Sequence, residues 1–190
     1  MDVKFAEFGF YNIDPAYLKY LHQIDAEVYY SETKDYSNKP FIGILFVIDN
    51  YKYFIPLTSR KQKHAKWKNV DNTYYLVYEI IARKWLKPND VYKDVQDPNK
   101  CAKILAALDI KKMIPVPDGV YHKVDFKKED DAKYKRLMEK EYMFCQAIQD
   151  GILERAARIY LEQKKTGIVY KMYCDFSKLE EACKAWNPTD

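Results

Sequence analysis

The sequence predicts an α+β fold, with an antiparallel β-core in the middle of the chain and helices before and after it. Apolar residues recur at three- and four-residue steps near the start and in the last third, which is the period of an α-helix. Between these parts lie short apolar runs rich in aromatic and β-branched residues, which are typical of strands. The chain has 190 residues, of which 48% are hydrophobic and 32% charged, as in an ordinary globular protein. We therefore expect residues 1–190 to form one domain.

The first predicted helix begins after Asp14. Asp14 has the short acidic side chain of a good N-cap, and Pro15 suits the first helical position, where no backbone N–H is needed. The apolar face that follows consists of Tyr17, Leu18, Leu21, Ile24 and Val28.

The predicted strands begin with a β-hairpin. Residues 41–48 form an apolar run of the length of a buried strand, Asp49-Asn50 suits a tight turn, and residues 51–57 return as the second strand. Residues 74–81 alternate weakly between apolar and polar side chains, which indicates a further strand.

Residues 103–117 leave two structures open. Ala106-Ala107 favours a helix, because alanine is the best helix former. Pro115 and Pro117 instead suit an edge strand, where a missing backbone donor is tolerated.

The last third of the chain predicts helices. From Lys128 the apolar residues keep helical spacing with charges between them, and a second helix is expected over residues 152–165, closed by Gly167 as a C-terminal cap. A final short helix is predicted to begin with Ser177 as N-cap, because Glu180 follows three residues later as in a capping box.

The composition excludes several classes of protein. The four cysteines show no CxxC spacing, and none of the three histidines is spaced with a cysteine as a zinc site requires. We therefore expect free thiols, no metal site and no cofactor. Residues 1–20 carry charges that a signal peptide lacks, and the longest apolar run is too short to span a bilayer, so a cytoplasmic protein without membrane contact is expected. A Gly-rich phosphate loop and a GxSxG motif are both absent from the sequence.

The densest basic run of the chain directly follows the hairpin. It contains Arg60, Lys61, Lys63, His64, Lys66 and Lys68 and no acidic residue. The hydroxyl pair Thr58-Ser59 comes just before it, at a strand end, where a rigid scaffold can aim side chains. Two ordinary explanations stay open at this point: the hydroxyls could cap the turn, and the lysines could line a solvated loop.

These side chains fit RNA cleavage, which needs neither an activated serine nor a metal. RNA supplies its own nucleophile, the 2′-hydroxyl, so the protein has to align the reacting atoms and stabilise charge on the phosphorane. A lysine ammonium and two hydroxyls facing one phosphate provide such donors. His64 could serve as a general acid or base, because histidine titrates near neutral pH, or could add to phosphate binding. The 18 tyrosines suit a wet binding surface as well as a core.

Several segments of the chain together resemble the ToxN/AbiQ family of type III toxins. They run in the family's order and are Tyr17–Leu21, Asn38–Ile44, Tyr53–Ser59 with Lys61 and Lys63-His64, Leu108–Val116, Tyr134–Leu137 and Cys174–Phe176. Each segment alone is a weak signal, whereas the ordered set covers nearly the whole chain and is specific. The resemblance also favours a strand over a helix in residues 103–117.

The resemblance implies a small barrel fold similar to the MazF/Kid toxins, elaborated with helices at both ends. It implies a metal-independent, sequence-specific endoribonuclease that leaves 2′,3′-cyclic phosphate and commonly cuts adenine-rich cellular RNA. It further implies an antitoxin RNA, a pseudoknot that the toxin cuts from a repetitive precursor and that inhibits the toxin in a closed head-to-tail assembly. Growth arrest, including arrest during phage infection, is the expected outcome of toxin release.

The family's site residues fall on six positions of this chain, namely Tyr17, Tyr36, Lys39, Thr58, Ser59 and Lys61. By this resemblance Lys61, Thr58 and Ser59 are expected at the scissile phosphate. Tyr17 and Tyr36 are expected to contact nucleotides. The basic residues from Arg60 to Lys68 are expected to bind RNA. The family commonly has proline where this chain has Arg60, so the turn is expected to be looser and more basic.

Two other functions remain open from the sequence. A non-catalytic RNA-binding regulator on the same barrel would account for the tyrosines and the basic run equally well. A protein-binding module would explain the mild net charge of +4, but it leaves the ordered set of segments as a coincidence.

Overall fold

The computed structural model describes residues 4–5, 8–30, 40–48 and 51–187. Over these residues the chain forms an antiparallel sheet packed against helices, as the α+β prediction requires. The strands are β1 (Lys4–Phe5), β2 (Gly9–Ile13), β3 (Phe41–Ile48), β4 (Tyr51–Ser59), β5 (Tyr74–Ala82), β6 (Tyr92–Asp94), β7 (Lys100–Asp109), β8 (Ile114–Pro115) and β9 (Tyr121–Lys123). The helices are α1 (Pro15–Ile24), α2 (Ala132–Ala147), α3 (Gln149–Thr166) and α4 (Phe176–Ala185).

The main path of the sheet runs in the order β5, β7, β4, β3, β2 and β9. The short strands β1, β6 and β8 pair with β3, β7 and β4 respectively. Among the described strands no pairing joins β5 to β9, so the sheet is open there. The closed barrel and the likeness to MazF/Kid therefore stay predictions.

The predicted hairpin is present, and residues 103–117 contain the end of β7 and all of β8, with a 3₁₀ turn at Ile110–Lys112 between them. β3 and β4 pair antiparallel, with Phe41 opposite Pro56, while the predicted turn Asp49-Asn50 lies outside the described residues. β7 extends to Asp109 and pairs along its length with β5. Its alanines are strand residues because Ala106 and Ala107 are buried, with exposures of 1% and 2%, between closely packed elements where a small side chain fits.

Two of the three predicted helix boundaries are confirmed and one is wrong. Asp14 caps α1 as expected, accepting a hydrogen bond from the Ala16 N–H at 2.8 Å. Gly167 ends α3 in the left-handed conformation (φ +67°) that glycine adopts without strain. The predicted Ser177 cap is wrong: Asp175 caps α4, and its carboxylate accepts from the Lys178 N–H at 3.2 Å.

The apolar core lies between the sheet and the helices. Its largest fully buried side chains include Tyr17, Tyr53 and Tyr160, so tyrosine contributes to the core as expected. All four cysteines are free thiols, in agreement with the prediction. None of the helices over the described ranges has the length and apolar character needed to cross a membrane.

Candidate functional site

A narrow cleft lies where the end of β4 meets β7 and faces α2. Thr58 and Ser59 pair with Ala107 and Ala106 of β7, so the strand pairing sets the position of both hydroxyl residues. The cleft has a volume of about 60 Å³. It is lined by Pro40, Leu57, Thr58, Ser59, Arg60, Leu105, Ala106, Tyr134, Leu137 and Glu141. The sheet therefore provides one wall and α2 the other.

The two hydroxyls of the cleft differ in their surroundings. The Thr58 hydroxyl is half-buried and donates to the Ala107 carbonyl at 3.2 Å, which orients the side chain. Ser59 is exposed at the strand end. Thr58 can therefore accept a hydrogen bond without moving, whereas Ser59 can turn its hydroxyl towards a bound phosphate oxygen.

Lys61 begins a tight turn directly after the strand. Residues Gln62–Lys66 form a short 3₁₀ helix, at the start of which the His64 N–H donates to the Lys61 carbonyl at 2.9 Å. In return the Lys61 N–H donates to His64 Nδ1 at 3.1 Å. This reciprocal pair resembles a capping box in which histidine stands in place of the usual Glu or Gln. The Lys61 side chain is exposed and forms no ion pair with the described part of the chain.

His64 lies beneath this turn rather than on its surface. Only 2% of the residue is exposed, and its ring packs on Trp67 with 4.6 Å between centroids. Burial, and then the nearby Lys63 and Lys61 ammonium groups, lower the pKa of His64, although Asp109 acts in the opposite direction. His64 is therefore a neutral acceptor at neutral pH, and in place of the expected contact with RNA it holds the backbone of Lys61.

Arg60 is anchored from below by a buried carboxylate. Its guanidinium lies 3.9 Å from Asp90, which also forms a 2.9 Å ion pair with Lys103. Burial opposes ionisation of Asp90, but a hydrogen bond from the Lys87 N–H and the charge of Lys103 outweigh it and lower the pKa of the carboxyl. Arg60 thus has an electrostatic contact with the carboxylate beneath it, while a looser turn than in the family stays a prediction.

The other predicted RNA-binding residues lie along the same turn. Lys63, Lys66 and Lys68 are exposed. The Lys63 ammonium lies 5.3 Å from the centre of the half-buried Trp67 ring, which in turn packs on Tyr74 at 4.5 Å. Cations and aromatic faces together form a surface suited to a polyanion with bases.

Of the three remaining predicted site residues, Tyr17 is not brought to the cleft. Tyr17 is fully buried, its hydroxyl donates to the Pro115 carbonyl at 2.7 Å, and burial raises its pKa. Pro115 pairs with Tyr53, which lies roughly 16 Å along β4 from Thr58 at the usual rise per residue. In place of the expected nucleotide contact, Tyr17 packs the core. The other two, Tyr36 and Lys39, lie outside the described residues.

Two cleft residues were not singled out as site residues from the sequence. Tyr134 and Glu141 of α2 line the wall opposite the end of β4. Burial, and then the charges of Glu141 and Glu129, raise the pKa of Tyr134 to about 12, so its hydroxyl stays protonated. Glu141 is only 6% exposed and brings a carboxylate to the cleft. The segment Tyr134–Leu137 did carry a signal, because it belongs to the set that resembles the ToxN/AbiQ family. No cluster of three or more potential metal ligands occurs within the described ranges.

Comparison with known proteins finds relatives over most of the chain. A family described as "Toxin ToxN, type III toxin-antitoxin system" matches residues 9–184. The chain is 28% identical to endoribonuclease ToxN of Bacillus thuringiensis subsp. kurstaki over 95% of this chain and 85% of that protein. It is 30% identical to endoribonuclease ToxN of Pectobacterium atrosepticum over 90% of each, and 26% identical to endoribonuclease AbiQ of Lactococcus lactis subsp. lactis over 90% of this chain and 85% of that protein.

Solved structures show the same fold. One, described as concerning selective toxin inhibition by a non-coding RNA pseudoknot in type III toxin-antitoxin systems, matches with a TM-score of 0.72 at 24% identity over 95% of this chain and 98% of that chain. A second, described as a processed non-coding RNA that regulates a bacterial antiviral system, matches with a TM-score of 0.71 at 27% identity over 94% and 98%.

Proposed function

This chain belongs to the ToxN toxin family of type III toxin-antitoxin systems, and we propose that it is a metal-independent, sequence-specific endoribonuclease. In this reaction the 2′-hydroxyl of RNA attacks the adjacent phosphorus and the 5′-oxygen leaves. The products carry a 2′,3′-cyclic phosphate and a 5′-hydroxyl. The observation that carries the proposal is the group of Thr58, Ser59 and Lys61 at one strand end, beside a cleft and within a strongly basic turn.

Each of these residues has a role that follows from its surroundings. The exposed Lys61 ammonium donates to the non-bridging oxygens, where negative charge grows in the phosphorane. Ser59 donates beside it, and Thr58, oriented by the Ala107 carbonyl, lines the same wall. His64 positions Lys61 by accepting its backbone N–H, which limits where the ammonium can reach.

The RNA strand is bound next to the cleft by the basic turn. Arg60, Lys63, Lys66 and Lys68 contact phosphates, and this contribution weakens as salt concentration rises. Trp67 offers a half-exposed ring for stacking. Tyr36 and Lys39 remain proposed site residues, because they precede Pro40, which itself lines the cleft.

The proposed partner is an antitoxin RNA with a pseudoknot repeat, which this chain cuts from its precursor and which then inhibits it. Support comes from the two related structures, which are described as concerning inhibition by an RNA pseudoknot and regulation by a processed RNA. Toxin and RNA units would close head-to-tail in the cytoplasm, and release of toxin would arrest growth, including during phage infection. A short tandem repeat followed by a terminator upstream of the coding region is the expected genomic signature.

Substitution of Lys61 tests the catalytic proposal. Lys61→Ala should bind antitoxin RNA but lose cleavage, because the donor acts mainly in the transition state. Lys63→Ala is the matched control, since it removes an exposed lysine from the same turn and should weaken binding more than turnover. Unchanged cleavage by Lys61→Ala would contradict its assigned role.

Chelation tests the metal-independent step. Cleavage of RNA should proceed at the same rate in excess EDTA, with cyclic phosphate at the 3′ ends of the fragments. Loss of cleavage in EDTA would contradict the proposed mechanism.

The second candidate function is a non-catalytic RNA-binding regulator on the same fold. The basic turn with Trp67 is the observation that favours it, because binding alone would need those residues. Expression of the chain alone in a bacterium separates the two functions. Growth arrest with RNA fragments ending in cyclic phosphate supports the endoribonuclease, whereas RNA binding without fragments supports the regulator.

A further inference from the structure

A second pocket lies on the other flank of α2, away from Thr58 and Ser59. It has a volume of about 430 Å³, within the usual range for pockets that bind small ligands. It is lined by Phe10, Lys123, Val124, Asp125, Phe126, Lys127, Lys135, Glu139 and Tyr142. The segment after β9 forms one wall and α2 the other.

The floor of this pocket is aromatic. Phe10 is 1% exposed and holds Phe126 and Tyr142 edge-on, with ring centroids 5.9 Å and 5.6 Å away. Phe126 and Tyr142 are half-buried and lie 5.6 Å apart. Each therefore keeps part of its ring accessible to a planar group that enters the pocket.

The rim of the pocket is basic. Lys127 and Lys135 form no ion pair with the described residues, and Lys123 also lines the pocket. The two acidic residues that line the pocket are Asp125 and Glu139. Asp125 accepts a hydrogen bond from the Lys127 N–H at 3.0 Å and thereby shapes the turn. An aromatic floor under a basic rim fits a nucleotide, whose base stacks and whose phosphate carries the charge.

α2 connects the two pockets. Residues of an α-helix advance by about 100° each, so Tyr134 and Glu141 face the cleft while Lys135 and Tyr142, one residue further on, face a different flank. The helix with its side chains is about 10–12 Å across, a distance that a short stretch of single-stranded RNA can cross.

The exposed face of α2 between the pockets is also basic. By the same helical spacing this face carries Lys133, Arg136 and Lys140. Lys140 is paired with Glu79, whereas Lys133 and Arg136 have no acidic partner in the part of the chain that the structure describes. The exposed face of α2 between the cleft and the second pocket thus carries two cations without an acidic partner among the described residues.

We propose that this second pocket binds one nucleotide of the RNA strand whose scissile phosphate lies at Thr58, Ser59 and Lys61. Between the two sites the strand crosses the exposed face of α2. The base stacks on Phe126 and Tyr142, and its phosphate is held by Lys127 and Lys135. This inference rests on the proposed function, because it takes RNA as the substrate. The pocket then adds affinity for the RNA strand at a nucleotide some distance from the cut.

Charge-neutralising substitutions on the rim test this inference. Binding of a single-stranded, adenine-rich RNA oligonucleotide is measured by fluorescence anisotropy at several salt concentrations, in the full chain carrying Lys61→Ala. The double variant Lys127→Gln, Lys135→Gln should make the slope of log affinity against log salt less steep by about 0.7, because one phosphate contact is lost. Lys128→Gln is the matched control, because Lys128 is exposed in the same turn but does not line the pocket.

Substitution of the aromatic floor tests base stacking separately. Tyr142→Leu should weaken RNA binding roughly 5- to 150-fold, and Tyr142→Phe, which keeps the ring, should stay close to the unsubstituted protein. The effect should vanish with oligonucleotides too short to cross α2, which a general loss of folding would not produce. The rim variants keep the test informative if Tyr142→Leu fails to fold.

The outcomes separate this inference from the proposed function. If the protein cleaves RNA and the rim variants behave like Lys128→Gln, the second pocket has no role in RNA binding and the inference is overturned. If the unsubstituted protein neither cleaves nor binds RNA, the proposed function itself fails. The same measurement with folded pseudoknot RNA distinguishes a substrate strand from an antitoxin strand as the source of the bound nucleotide.

Discussion

Replacement of His64 tests whether this buried ring positions Lys61. His64→Leu removes the Nδ1 acceptor of the Lys61 N–H but keeps an apolar side chain against Trp67. His64→Gln keeps an acceptor, because glutamine at the same position of a capping box reaches back to the same N–H. The two variants therefore differ mainly in one hydrogen bond.

The size of the effect follows from that bond. A buried donor left without an acceptor costs about 1–3 kcal/mol. Because the Lys61 backbone lies near the surface, we expect the lower end of this range, so His64→Leu should lower the free energy of unfolding by about 1 kcal/mol. Turnover should fall more steeply, because a shift of about 1 Å in a catalytic group can cost on the order of 100-fold. We expect kcat to fall roughly 10- to 100-fold, with KM changing less.

Cleavage of a labelled RNA measures the loss of turnover, and urea denaturation of the same protein samples measures the free energy of unfolding. His64→Gln should retain most of the cleavage rate of the unsubstituted protein. Equal, full activity in His64→Leu and His64→Gln, with both variants folded, would refute the positioning role of His64.

Three further perturbations address other contacts of the fold. The folded state lowers the pKa of His64, so as pH falls the unfolded chain binds a proton at this histidine before the folded chain does. The free energy of unfolding should therefore fall as pH drops below about 6.5. Urea titrations of His64→Gln should lack this part of the pH dependence. Asp90→Ala leaves Lys103 without its ion pair and releases Arg60, and should lower the free energy of unfolding by about 2 kcal/mol; an unchanged urea midpoint would contradict this. Glu180→Gln weakens the buried hydrogen bonds from Tyr53 and Tyr160 and should cost about 1–3 kcal/mol while cleavage by the folded fraction is unchanged; a stable variant with reduced cleavage would show that this network reaches the cleft.

Local signals predicted the helices where a single residue type decides the boundary. Asp14 and Pro15 mark the start of α1, and Gly167 marks the end of α3, because these side chains or backbone preferences act within one turn. The start of α4 was misplaced by two residues because Asp175, an equally good N-cap, accepts from the Lys178 N–H. Glu180 instead accepts hydrogen bonds from Tyr53 and Tyr160 in the core.

Residues 103–117 show the limit of composition as a guide to secondary structure. Their alanines favour a helix in isolation, but β7 pairs with β5 along its length and with the end of β4. Pairing and burial outweigh intrinsic preferences of a few tenths of a kcal/mol for each residue.

The sequence alone determined the group at the end of β4. Thr58, Ser59 and Lys61 are neighbours in the chain, so their proximity follows from covalent connectivity and the strand that precedes them. Their order and the basic run behind them, together with the family resemblance, are the basis for predicting a phosphate-binding surface.

Only the tertiary structure decided what surrounds that group. Tyr134 and Glu141 reach the cleft because α2 packs across the sheet, and Asp90 reaches Arg60 because the chain before β6 returns beneath the turn. His64 and Tyr17 turned inward, since a ring gains more from burial than from exposure once its polar atom has a partner in the fold. Such placements depend on contacts between residues far apart in the chain, which a linear pattern does not encode.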